Sequence, residues 1–535
     1  MIESMIQNMK TIFSKSLIIL AAALCLTGCI GKFEEYNRNP YQPTTVPVRD
    51  LLSSMFNVYA SPQQNECQFN NCMWACYSGQ ITAPHNWGKG TATFAYFNAE
   101  EGWNQSTTNT FFTKIYSNYF IIKESTKEEG IIYAIAQLTR IFAMQEVASL
   151  QGPIPYTKVR AGDIYVEYDD EETVWKAMFD DLDGVIRTLT DAGSGVNDDL
   201  NEIDQIYGGD CRRWLKFANT LKLRMAMRIS GIAPEYARTK AEEAVASGVL
   251  SGIDDSAYDT TNSGQTNNGY KIVDGWGELK ANACLVSYMN GYADPRRAAY
   301  FTEADESLGG GYIGVRSGTN EPPVPADYNG YSSFRIARVA NKGLKDAGAN
   351  PMPIMYASEA WFLRAEGALR GWDMGGTAGE LYEEGIRKSF EEFDVAGAEE
   401  YMADSEKRPG NHTDPKSSID SYTNQSTVTI AWNDGDTFQT KLERIITQKW
   451  IANLLNPLEG WSDFRRTGYP KIFPPVKSAS QDGCGLQRQM RRLHFPESEY
   501  NGNRANTEAA CAFLQGGQDS DNADLWWALK SDGQY

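Results

Sequence analysis

The sequence predicts a mainly α protein in which a helical scaffold presents one loop-rich side. Two observations carry this expectation. Nine segments, 48–59, 110–127, 131–150, 171–189, 210–230, 236–246, 354–370, 376–393 and 437–455, place apolar residues three and four positions apart, the spacing that lines one face of a helix. Between them run four polar stretches rich in Gly, Asn and aromatics, 79–109, 251–282, 303–350 and 397–436, longer than the connections that compact domains use without a functional reason.

Taken in order, the helical segments show their phase in residues such as Trp214, Phe217, Leu221, Met225 and Ile229, and again in Leu442, Ile446, Trp450 and Leu454. Short turns such as 371–375 join consecutive segments into antiparallel helical hairpins. The tetratricopeptide consensus is not matched position by position, so spacing alone leaves a TPR-like array open.

At the N-terminus an apolar run over 17–26 follows Lys10 and Lys15 and ends in Leu26-Thr27-Gly28-Cys29. The run is about half of the roughly 20 residues needed to span a bilayer, so it reads as the apolar core of a secretory signal. Met9-Lys10-Thr11 begins a better signal than Met1 does, leaving two candidate start sites. A cysteine at the cleavage point resembles the bacterial lipobox. The resemblance makes residues 1–28 a lipoprotein signal peptide and Cys29 the lipidated first residue, carrying palmitate-type chains enough for stable anchoring. Lys32, Glu34 and Glu35 resemble the surface-export signal of Bacteroidetes lipoproteins. Residues 29–47 then form a Pro-punctuated tether, and 48–535 the functional domain.

Removing 1–28 takes two of the 50 basic and one of the 69 acidic residues, moving the formal net charge from −19 to −20. Such a body argues against nucleic acid or an anionic membrane surface as partner, because both require clustered positive charge. The basic residues of 212–228 are accordingly expected on a solvated or interdomain salt-bridged face. Seven cysteines remain beyond Cys25 and Cys29: Cys67, Cys72, Cys76, Cys211, Cys284, Cys484 and Cys511. They are expected to be small buried residues or to include one disulfide.

Catalytic signatures are weak. His85, His412 and His494 are isolated from one another, and neither HExxH nor G-x-S-x-G occurs. Gly309 to Gly314 spells G-x-G-x-x-G but lacks the strand and helix that would make it a dinucleotide site, so it reads as a loop. Acidic pairs such as Glu171-Glu172 and Glu383-Glu384 are expected on solvated helix faces. An exported glycan-degrading enzyme, with two carboxylates roughly 5–10 Å apart, is the competing reading. Asp519-x-Asp521-x-x-Asp524 lacks the Gly and terminal Glu of a calcium loop, although it leaves a structural calcium open; no other cofactor is expected.

The aromatics divide by context. Trp175, Trp214, Trp361 and Trp450 fall on apolar helix faces and belong to the core. Trp87, Tyr96, Trp103, Trp276 and Trp432 stand in Gly-, Asn- and Thr-rich surroundings, where flat rings beside amides suit the apolar face and the hydroxyls of a sugar. They are the candidate ligand-binding residues.

A set of blocks then brings a family into view. "FEEYNRNP", "MQEVASLQGPIPYTKVRAG", "DQIYGGDCRRWLKFANTLKLRMAMRIS", "SEAWFLRAEGALRGW", "TQKWIANLLNPLEGWSDFRRTGYP" and "MRRLHFPESEYNGN" resemble, in order and over nearly the whole mature chain, the SusD/RagB outer-membrane nutrient-binding lipoproteins. The resemblance implies four TPR-like hairpins as scaffold, with loops on the ligand side. It implies a non-catalytic, surface-exposed lipoprotein that binds an oligosaccharide, or a peptide as on the RagB side of the family. The partner it implies is a SusC-like TonB-dependent transporter. Trp214, Phe217, Asp463, Arg465, Arg466 and Tyr469 match motif positions and read as scaffold. Pro153, in Leu150 to Tyr156, departs from the acidic residue more usual after that Gly.

Cys29→Ser, expressed in a host that processes lipoproteins, is expected to lose both palmitate labelling and membrane retention. Retention of either would overturn the anchor assignment.

Overall fold

Asp170 accepts a hydrogen bond from the Thr173 N–H, Asp210 from those of Arg212 and Arg213, and Thr377 forms a reciprocal box with Glu380. Side chains of this kind satisfy the orphan donors of a helix start, which is why the helices begin close to where the sequence pattern puts them. A computed structural model describes residues 46–56, 58, 73–84, 94–98, 101–259, 277–319, 325–335 and 352–530. The chain divides into two units, Met1–Pro47 and Val48–Tyr535, and every element below belongs to the second. Cys29 lies outside the described residues.

The main helices are α1 (Val48–Met55), α2 (Glu101–Thr126), α3 (Gly130–Gln151), α4 (Glu171–Ala192), α5 (Cys211–Arg228) and α6 (Pro234–Ser247). They continue with α7 (Ala283–Gly291), α8 (Ala357–Leu369), α9 (Ala378–Glu392), α10 (Phe438–Ala452) and α11 (Pro457–Thr467). Consecutive helices pack on each other, α2 on α3, α3 on α4, α5 on α6 and α8 on α9. Helix α3 is buried almost all round over 134–151, the signature of a helix at the centre of a packed body. Two small antiparallel sheets complete the frame: β1 (Ile81–Thr82) with β3 (Lys280–Ala281), and β2 (Ala257–Asp259) with β4 (Met352–Met355).

Three expectations are corrected. Helix α2 begins at Glu101 rather than near residue 110, so Trp103 stands on a helix and not in a loop. The segment expected as helix from 354 opens as strand β4, and the helix starts only at Ala357. Pro353 lies opposite Tyr258, where the register shifts; a short apolar run containing Pro has no period that separates strand from helix. Glu171 is not on a solvated face. It is buried, one carboxylate oxygen accepts the Trp526 N–H, and burial pushes its pKa up to about 8.

The basic face of α5 turns inward, within the one unit. Arg224 pairs with Glu359 of α8 at 2.7 Å, and Arg228 makes a two-pronged contact with Glu459 of α11 at 2.7 Å. Arg466 of α11 forks onto Glu366 of α8 at 2.6 and 2.5 Å and also holds Asp463, which Lys449 of α10 approaches at 3.0 Å. Trp175, Trp214 and Trp450 are fully buried, whereas Trp361 is half-covered, its ring under the Arg364 guanidinium. Cys211, Cys284, Cys484 and Cys511 are free thiols; Cys67 and Cys72 lie outside the described residues.

Burial raises the Glu366 pKa, but the charges and hydrogen bonds of Arg466 and Arg370 prevail and hold it at about 2. A carboxylate depressed on folding stabilises the fold above its unfolded value of about 4.3, and that contribution disappears as pH falls from there through about 2. Glu366→Gln is therefore expected to cost about 3–5 kcal/mol at pH 7. The deficit should shrink as pH falls from ~4 through about 2, because protonation of the unfolded carboxyl progressively removes the parent's advantage, as read by denaturant unfolding at pH 7 and near pH 2.

Candidate functional site

Strand pairing sets the described ends of the loop-bearing stretches. In the antiparallel pair, Thr82 lies opposite Lys280 and Ile81 opposite Ala281, so the last residue of β1 and the first of β3 stand at the same end of one sheet. Asp259 and Met352 likewise lie opposite each other at one end of the other sheet. Trp87 and Trp276 lie outside the described residues.

The frame beneath is held by buried amides. The Asn282 side chain donates to Ile81 O and to Ser317 Oγ, both at 3.1 Å, and accepts the Cys284 N–H. Gln80 donates to Trp450 O and Asn453 O, and the Trp450 indole N–H to Ser78 O at 2.8 Å. Segment 315–319 is pinned to β3 through Val315 and Ala281 and to 476–477 through Ser317 and Gly318. Gly318 has φ +75°, and a Cβ there would lie 2.3 Å from Lys477 O, so only glycine allows the two segments this approach.

Tyr96 takes part in the same frame. Its ring is 1% exposed, its hydroxyl donates to Thr319 O, and its own carbonyl accepts the Ala479 N–H at 2.7 Å. The expectation of a ligand platform is corrected: Tyr96 joins the 94–98, 319 and 479 segments and has no free face. Trp432 is held in part by the scaffold. Its half-buried ring lies 5.4 Å from Tyr382 of α9, over Gly379, and its N–H donates to Asp434. The packing partner that an isolated loop tryptophan lacks in the sequence is supplied by a scaffold helix.

Residues that sequence reasoning passed over surround the frame. Half-buried Lys280 at the end of β3 has its pKa lowered by burial, against the opposing charge of Asp305. The Tyr331 hydroxyl lies 3.1 Å from both oxygens of Asp414, and the Arg316 guanidinium covers Tyr422 at 4.9 Å. No spacing signal in the sequence joins these positions. A separate groove of about 440 Å³ runs between α2 and residues 155–166, lined by Phe112, Tyr116, Phe120, Val159 and Ile164. Neither Tyr96 nor Trp432 lines it.

With fold and frame in place, the comparisons with known proteins fit. The family described as SusD-like, the Susd and RagB outer membrane lipoproteins, matches residues 35–528. The chain belongs to the SusD-like family. A SusD-like protein from Bacteroides thetaiotaomicron is 56% identical with a TM-score of 0.86, covering 91% of this chain and 100% of its own. A SusD homologue from Bacteroides ovatus is 34% identical with a TM-score of 0.81, the match covering 90% and 99%. A chitin-binding SusD homologue from Flavobacterium johnsoniae is also 34% identical, with a TM-score of 0.83 and coverage of 90% and 98%. No curated protein matches. These SusD-like proteins share the mainly helical fold, and the family is one of outer-membrane lipoproteins. Among the described residues no helix is long and apolar enough to cross a membrane.

Tyr96→Phe, which removes one buried hydrogen bond, is expected to cost about 1 kcal/mol, and Trp432→Ala about 1–2 kcal/mol through lost ring burial. Both are read by denaturant unfolding. A Trp432→Ala protein of parental stability would show that Tyr382 and Gly379 do not hold the ring.

Proposed function

We propose that this SusD-like protein is a lipid-anchored, surface-exposed binder that captures a glycan and passes it to a SusC-like TonB-dependent transporter, without catalysing a reaction. The carrying observation is family membership over residues 35–528, with a chitin-binding relative at 34% identity. Trp87, Trp103 and Trp276 are the proposed sugar platforms. Each stands in a Gly-, Asn- or Thr-rich stretch of the sequence, where a flat ring beside amides suits a sugar. Aromatic faces cover the C–H surface of a pyranose, while nearby amides and carboxylates meet its hydroxyls. Handover requires the ligand to prefer an arrangement in which lipoprotein and transporter contact it together over the one in which the lipoprotein holds it alone, since equal affinity for both states would shift nothing.

The test is calorimetry against a glycan panel that includes chito-oligosaccharides. Each of Trp87→Ala, Trp103→Ala and Trp276→Ala is expected to weaken binding roughly tenfold, about 1.4 kcal/mol. Full affinity in all three would sink the site assignment. Binding to peptides with none to any glycan would transfer the protein to the peptide class, and turnover of a bound glycan would make it an enzyme.

A further inference from the structure

The C-terminal acidic run does not act as one unit. Asp524 is drawn off by Arg488 and Arg491. Asp519 is held by Arg492, by the Tyr500 hydroxyl and by the Phe495 N–H. Neither is available to a calcium loop built from 519–524. Asp521 instead meets Asp482 and His494. His494 Nε2 lies 3.0 Å from Asp482 Oδ2 and 3.1 Å from Asp521 Oδ1, and the three atoms all lie within 4.8 Å of one another.

A single hydrogen bond does not account for this convergence. Nε2 carries at most one hydrogen, yet two carboxylate oxygens face it at contact distance. Asp482 Oδ2 is served from elsewhere, by the Asp521 N–H at 2.7 Å. Asp521 is 6% exposed, and its Oδ1 accepts no hydrogen bond. A buried acceptor left in that condition costs free energy, and the ring nitrogen in front of it is a metal-ligand type.

We propose that Asp482, His494 Nε2 and Asp521 Oδ1 form a binding site for a divalent first-row transition ion, zinc being the best fit. An ion about 2.0–2.2 Å from each ligand, with the angles of a tetrahedral site, separates neighbouring ligand atoms by about 3–3.5 Å. The two N···O distances agree with that spacing. Mixed imidazole and carboxylate donors favour zinc or its neighbours over calcium, which takes oxygen ligands alone. Two carboxylates balance the dication. On the far side of the ring, Nδ1 faces Asp519 Oδ2 at 3.7 Å, the outer carboxylate that commonly orients a metal-bound histidine. His494 is one-third exposed, which gives an ion access. The bound ion would clamp the 519–524 segment onto the 478–485 loop, whose Ala479 holds Tyr96 and through it the frame of the ligand side.

The test is calorimetry with ZnCl2 on the purified, chelator-treated lipoprotein in detergent, with His494→Gln and Asp521→Asn alongside. One equivalent of zinc is expected to bind and to raise the unfolding temperature, and each variant to lose at least ~10-fold in affinity. Cobalt serves as a second probe that needs no variant. The expected spectrum has weak visible bands and no thiolate charge-transfer band. No saturable binding, parental affinity in both variants, or a thiolate band assigning the metal to cysteine would each overturn the proposal.

Discussion

A guanidinium taken out of water is tolerated only where carboxylate oxygens meet its fork at the right distance and angle, and that condition governs how the scaffold helices meet. Arg224 and Arg228 project from α5, Glu359 and Glu366 from α8, Glu459, Asp463 and Arg466 from α11, and Lys449 from α10, all nearly inaccessible. Each pairing is compatible with one rotation and one axial offset of its helix, because sliding either partner by a turn would strand a charge. Trp527 lies under the guanidiniums of both Arg228 and Arg465, closing the layer against the C-terminal segment. The net worth of such pairs in stability is small once desolvation is counted; their consequence here is register.

That register reaches the ligand side through α10. Trp450 sits on the same helix as Lys449, and its indole N–H and carbonyl hold Ser78 and Gln80 immediately before β1. β1 in turn fixes β3, and 315–319 docks on β3. The described residues that border the Gly- and Asn-rich stretches, Thr82 with Lys280 and Asp259 with Met352, are thus tied in pairs to the scaffold.

Much of the fold was legible because helix periodicity is a local property. Trp214 and Trp450 declared themselves core by what stands three and four residues away, and both are fully buried. The motif blocks pointed to the family, and residues 35–528 match it. Legibility stopped where a residue's partner is distant in sequence. Trp432 looked free because Tyr382 and Gly379 lie some fifty residues earlier; Tyr96 looked free because Thr319 lies 223 positions away. The basic run of α5 looked like a solvated face because Glu359 and Glu459 stand 135 and 231 positions on.

The sequence by itself determined the helical class and the family, since period, caps and motif spacing are written over a few turns of chain. Only the tertiary structure decided which charges are buried, which loop aromatics pack against distant residues, and which strand ends lie side by side. Those properties depend on the side chains that other parts of the chain bring within a few ångströms. His494 shows the difference most plainly: isolated as a letter, it stands in the fold between three aspartates.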